Sequence, residues 1–124
     1  MNVKIDTKEK FHVVTPKDET LSANMTAELT TRLLELLQNQ VKNVVLSMKV
    51  VNVIEPAAAE DLLKTQQTFY ENDASFVICE LTEQVEKTLD ELELLEIMNT
   101  TPTESEAWDI VQMEEIEREF LDDM

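Results

Sequence analysis

Val3 and Ile5 alternate with Lys4 and Asp6, and Phe11, Val13 and Val14 make a second apolar stretch. A period of two predicts a strand or hairpin at one edge of a sheet. Thr15-Pro16-Lys17-Asp18-Glu19-Thr20 then reads as a polar turn segment, with proline breaking any helix. From Ser22 the period becomes helical. Met25, Leu29, Leu33 and Leu36 recur at i, i+4, i+8 and i+11, Leu34 and Leu37 widen the stripe, and Ser22 is placed to cap it.

Val44 to Ile54 is rich in β-branched residues, and its first part, Asn43 to Met48, has the continuous apolar character of an interior parallel strand. Pro56 fits the first position of a second helix, where its missing N–H costs nothing. That helix continues through Tyr70 with Leu62, Leu63 and Phe69 pointing inward. Asn72-Asp73 ends it, and Ala74 to Cys79 is a further short buried strand. Thr82 caps a third helix with Val85, Leu89 and Leu92 on its inner stripe, and Ile97-Met98 is expected to form the last strand. Thr103 and Glu106 have the spacing of a capping box. The final helix then runs through Ala107, Ile110, Val111 and Ile116 to Phe120, with a frayed end over about 119–124.

The order β, β, α, β, α, β, α, β, α predicts an α/β fold in one domain over 1–124. Its sheet is expected to be mostly parallel but mixed, with about five strands and about four helices packed mainly on one face.

Net charge is −17, and it is unevenly spread. Up to Ile54 there are seven Lys/Arg against six Asp/Glu; from Glu55 onward there are three against twenty-one. A field of that sign disfavours nucleic acid and anionic lipid, and it permits a basic protein partner. The chain has no glycine, which excludes a P-loop and a Rossmann fingerprint. No apolar run is long enough to span a bilayer, so no membrane insertion is expected. A single cysteine, Cys79, points to a reducing cytoplasm. It lies in an apolar strand followed by Glu80, a setting for a buried structural thiol and not for a nucleophile.

The junction between the central strand and the second helix carries the sharpest signal. Helix N-termini after buried strands are where α/β proteins hold anions or place reactive hydroxyls. Here the segment reads Val53-Ile54-Glu55-Pro56-Ala57-Ala58-Ala59, without hydroxyl or glycine. That favours protein binding over catalysis.

Element order and this central block resemble the STAS domain, the family of anti-sigma-factor antagonists and sulfate-transporter cytoplasmic tails. Leu46-Ser47-Met48-Lys49 stands at the family's Leu-Asp-Leu-Ser block, Val51 to Ile54 at its apolar segment, and Glu55-Pro56-Ala57-Ala58 at its Asp-Ser-x-Gly. Phe76-Val77-Ile78, Leu81 to Leu89, Ile97 to Thr100 and Glu104 to Ala107 are similar to its later strands and helices, so the resemblance covers about residues 3 to 118. It implies docking of a kinase-like anti-sigma factor around the start of the second helix, and release when the serine there is phosphorylated. Pro56 occupies the place of that serine, Ser47 that of the first aspartate, and Glu55 keeps a carboxylate at the second. The expectation is a binding module with a degenerate phosphosite at Pro56, whose partner surface comprises Glu55, Pro56, Ala57, Ala58, Glu60 and Asp61. The alternative implied by the fold is a carrier or sensor of a lipid or nucleotide in the groove beside the same helix.

Other signals have ordinary readings. Ser47 is the alternative phosphosite, although a serine ending a buried strand is more often bonded to backbone. Thr65 and Thr68 read as exposed polar residues. His12 has no second histidine beside it and the acidic clusters lack a calcium-loop turn, so no metal or other cofactor is expected. Trp108 is expected to pack on the core edge, or to anchor a partner or a homodimer if exposed. Met25, Met48, Met98 and Met113 read as gap-fillers. No nucleophile–base pair supports an enzyme.

Overall fold

Seven strands and four helices follow one another over residues 1–122, which the computed structural model describes. They are β1 (Val3–Thr7), β2 (Phe11–Pro16), β3 (Thr20–Leu21), α1 (Ala23–Glu35), β4 (Asn43–Ser47), β5 (Val53–Ile54), α2 (Pro56–Glu71), β6 (Phe76–Cys79), α3 (Glu83–Glu91), β7 (Thr100–Thr101) and α4 (Glu104–Asp122). Five strands form one sheet in the order β1-β2-β4-β6-β7; β1 is antiparallel to β2 and the others run parallel. The remaining two, β3 and β5, pair in parallel as a separate ribbon.

The topology explains where the helices lie. From β2 to β4, β6 and β7 the chain moves one strand at a time in the same direction. Crossovers of one hand that always step the same way place their helices on one face. Accordingly α1, α2 and α3 cover the face carrying Val14, Val44, Leu46, Phe76 and Ile78, burying Leu29, Leu33, Leu62, Phe69, Val85 and Leu89 against it. Helix α4 follows the edge strand, and it folds back across the opposite face over Val13, Val45, Val77 and Cys79. That second layer is thin: among its fully buried residues α4 supplies only Ala107 and Val111.

Polar contacts hold α4 in place where apolar area is scarce. The buried Asn43 side chain accepts from the Ser75 N–H (2.8 Å) and donates to the Lys10 carbonyl (2.9 Å) and to Glu115 Oε1 (2.6 Å). Arg118 donates to Asn43 Oδ1 at 3.3 Å and to Ser75 Oγ at 3.1 Å. A second link joins α2 to α4: the Tyr70 hydroxyl donates to Glu114 Oε1 (2.8 Å) and accepts from Asn99 Nδ2 (2.7 Å). Burial, then the Glu114 carboxylate, push the Tyr70 phenol above its ordinary range.

The caps follow the sequence. Ser22 Oγ accepts from the Met25 N–H and Thr82 Oγ1 from the Val85 N–H, each at 3.4 Å. At α4, Thr103 Oγ1 accepts from the Glu106 N–H at 3.1 Å. The Glu106 carboxylate takes the Thr103 hydroxyl (3.3 Å), where a full capping box would take the amide. With no glycine available, Asp73, Glu80 and Glu93 adopt φ of 57°, 57° and 61°. Two of them close helices: the Ala74 N–H reaches back to the Phe69 carbonyl (3.0 Å) and the Leu94 N–H to the Leu89 carbonyl (2.9 Å), the bonds of a Schellman turn.

Several expectations need correction. The last strand is Thr100–Thr101, not Ile97-Met98. The Gln66 side chain donates to the Ile97 carbonyl and accepts from the Asn99 N–H, so a side chain satisfies backbone that would otherwise join the ladder. The segment read as a turn is partly strand: β2 runs through Pro16 and β3 begins at Thr20. Pro16 lies beyond the last β4 pair at Val14, where no donor is required of it. Thr65 is buried, with its hydroxyl donating to the Asp61 carbonyl at 2.8 Å. Helix α4 continues through residues 119–122, where a frayed end was expected; of that expectation, Asp123 and Met124 lie outside the described residues.

Candidate functional site

The ribbon of β3 and β5 pairs Leu21 with Ile54, so α1 and α2 begin side by side immediately after it. Glu55 sits between the two helix starts. Its N–H donates to the Leu21 carbonyl (3.0 Å), and its Oε1 accepts from the Ala23 N–H of α1 at 2.9 Å. The carboxylate therefore caps the neighbouring helix and not its own, where the N-cap side chain makes no such bond. Two aligned helix dipoles favour negative charge at this point. Pro56 follows at the first helical position.

Further cross-links run down the α1–α2 seam. Asp61 Oδ2 accepts from Thr26 Oγ1 at 2.8 Å, and the Thr30 and Thr65 hydroxyls are 3.1 Å apart. Of the expected partner surface, Glu55, Pro56, Ala57 and Glu60 are exposed and Asp61 is half-buried. Ala58 is fully buried beneath α2 and is removed from that surface, because the second residue after Pro56 already turns toward the core. The structure thus brings five of the six residues to one end of the α1–α2 layer, with two of the three carboxylates already engaged inside the molecule.

Ser47 does not serve as an accessible hydroxyl. It ends β4 buried, with Oγ 3.5 Å from Glu80 Oε2. Cys79 beside it is equally buried, and burial, with Glu80 and Glu104 nearby, pushes its thiol up to about 12. His12 is buried and bonded at both nitrogens. Nε2 faces the Val41 carbonyl at 2.8 Å and so carries the proton, leaving Nδ1 to accept from Thr7 Oγ1 at 2.9 Å. Among the described residues no cluster of His, Cys, Asp or Glu has the form of a metal site. No helix there is long and apolar enough to cross a membrane.

The groove between α1 and α2, lined by Ala27, Thr30, Leu34, Asp61 and Lys64, has a volume of about 210 Å³. Small-molecule sites are generally about 300–1,000 Å³. A larger polar depression of about 470 Å³, bordered by Lys10, Lys42, Asn43, Glu115 and Arg118, lies at the β4 end remote from Glu55.

Sequence reasoning missed the outer side of α4. Trp108 does pack on the core edge, its ring centroid 6.2 Å from that of Phe11, yet it remains 43% exposed. Met113, Ile116 and Phe120 are 57%, 64% and 67% exposed. Met113 is therefore not a gap-filler, and Ile116 and Phe120 do not continue the inner stripe. The signal was present: at 100° per residue, 107, 111 and 118 share one side of a helix while 113, 116 and 120 share the other.

The mixed sheet and the three crossover helices are those of a STAS-type fold. The STAS domain family matches residues 2–107, and the chain belongs to that family. No curated protein sequence matches it significantly. Solved structures share the fold at low identity. A putative anti-sigma factor antagonist from Thermotoga maritima superposes with a TM-score of 0.79 at 17% identity, covering 89% of this chain and 94% of its own. An anti-sigma-factor antagonist (STAS) domain protein from Planctomyces limnophilus gives 0.75 at 16% identity, covering 89% and 97%. The phosphorylated form of the Bacillus cell fate determinant SpoIIAA gives 0.64 at 12% identity, covering 89% and 99%.

Proposed function

We propose that this STAS domain is a non-catalytic regulatory module that docks a protein partner, a kinase-like anti-sigma factor by the family resemblance, through the exposed start of α2. Its docking is insensitive to phosphorylation at the usual site. The observation that carries the reading is Pro56 at the first helical position, flanked by Glu55, Ala57 and Ala58, with no hydroxyl from residue 55 to residue 60. Glu60 is the exposed acid of this face for which the structure shows no internal hydrogen bond, so it is the residue best placed to meet a basic partner. The cytoplasm is the proposed setting, consistent with a lone buried thiol. Lipid or nucleotide carriage in the α1–α2 groove is the weaker reading, because that groove is small.

Two measurements test it. Incubated with ATP and candidate anti-sigma kinases, the native chain should take up no phosphate near residues 55–60, while P56S should be phosphorylated there. Affinity capture from the native cell should retain the kinase-like protein with the wild-type chain and lose it with E60K. Stoichiometric phosphate on the native chain ends the phosphorylation-insensitive reading. Equal capture by E60K places the interface elsewhere.

A further inference from the structure

The outer face of α4 combines two properties rarely left to solvent together. Trp108, Met113, Ile116, Phe120 and Leu121 are all exposed, and the last four follow a helical spacing of i, i+3, i+7 and i+8. Ala107 and Val111 are the side turned to the sheet, and of the five Trp108 packs against Phe11. All five lie beyond residue 107, the last one matched to the STAS family, and on the side of the sheet opposite α2. Glu117 and Glu119 flank the Met113–Phe120 stripe as exposed acids, and Glu106 and Asp109 are exposed at its N-terminal end. The helix holds one base, Arg118, and that side chain is turned inward onto Asn43 and Ser75. Lys8 and Lys10 stand at the Trp108 end, where they border a groove of about 350 Å³ with Phe11 and Gln112, and Lys10 also pairs with Glu115 at 3.7 Å.

We propose that this face is a second docking surface, independent of the α2 start, and that its occupant is a basic amphipathic helix of a partner protein. An apolar ridge accepts the apolar side of such a helix at i, i+3, i+4 and i+7. The acidic margins then select lysine and arginine on the flanks. The same margins reject a second copy of this chain, since two α4 helices laid together would appose acid to acid. Anionic membrane surfaces are repelled for the same reason. The occupied length is about 12 Å, from Met113 to Leu121 at about 1.5 Å per residue, or roughly two turns.

Trp108 is the only tryptophan and stands on the same helix at the edge of this face, so its fluorescence reports on α4. The probe is an 18-residue peptide of leucine and lysine in heptad spacing, titrated into the full chain. A saturable change in Trp108 emission is expected, with none from the same peptide carrying glutamate for lysine. I116D and F120D should each weaken binding at least tenfold, although each adds a negative charge and would strengthen a purely electrostatic attraction. Both sites are more than half exposed, so the thermal melt should be unchanged. Equal or tighter binding by the two variants overturns the proposal. So does a concentration-dependent dimer in sedimentation that I116D abolishes, because a second copy would then be the occupant.

Discussion

At the start of α2 the exposed side chains are charged or small, and two of the three acids already hold the molecule together: Glu55 caps α1 and Asp61 accepts from Thr26. On α4 the exposed side chains include the hydrocarbon of Met113, Ile116 and Phe120 among exposed acids, while Glu115 and Arg118 beneath them fasten the helix to the sheet. The two helices thus divide their work in opposite ways. Helix α2 is anchored by apolar burial of Ala58, Ala59, Leu62 and Phe69 and presents polar groups at its exposed start. Helix α4 buries only Ala107 and Val111, is fastened through Glu115 and Arg118 to Asn43 and Ser75, and presents hydrocarbon together with acids. Two of the three acids at the α2 start are thus accounted for inside the molecule, whereas the exposed hydrocarbon of α4 makes no such internal bond.

Core truncation gives the largest expected contrast. Phe69 is fully buried and its ring centroid lies 5.1 Å from that of Phe76, so F69A should cost about 3–5 kcal/mol in urea denaturation. V111A removes two methyl groups from the thin layer and should cost only about 1–2 kcal/mol. Equal losses would mean that α4 is packed as firmly as α2. Next in size is N43A. It leaves the buried Ser75 N–H without its partner and takes one hydrogen bond each from Glu115 and Arg118, for an expected loss of about 2–3 kcal/mol. Native-state hydrogen exchange should show α4 and the Ser75 amide opening first, with α2 protected. Uniform acceleration across both helices would break the distinction.

Much of this arrangement was legible in the chain. The shift from a period of two to a helical period located α1, and the continuous run at Asn43 to Met48 located the central strand, because burial on both faces leaves no polar alternation. Ser22 and Thr82 capped where hydroxyls preceded apolar periods. What was lost depended on partners distant in sequence. The pairing of Leu21 with Ile54 spans more than thirty residues, and it alone brings Glu55 to the Ala23 amide. Nothing local distinguishes an acid that caps a neighbouring helix from one that waits for a partner. Gln66 displaced the last strand by the same kind of long-range bond. The two sides of α4 were within reach of a helical wheel, but the inner and outer apolar residues merge when read as one stripe.

The finest test separates structure from docking within the α2 start itself. Removing the Glu55 carboxylate strips α1 of a charged acceptor at its first turn and takes negative charge from two helix dipoles, so E55A should lower stability by about 1 kcal/mol. E60K alters an exposed side chain with no internal hydrogen bond in the structure and should change stability by less than about 0.5 kcal/mol. For partner capture the expected order reverses: E60K abolishes it, while E55A, measured well below its melting temperature, retains most of it. Should E55A instead keep full stability and lose capture, Glu55 would be a partner-facing acid after all, and its bond to Ala23 would be incidental to the fold.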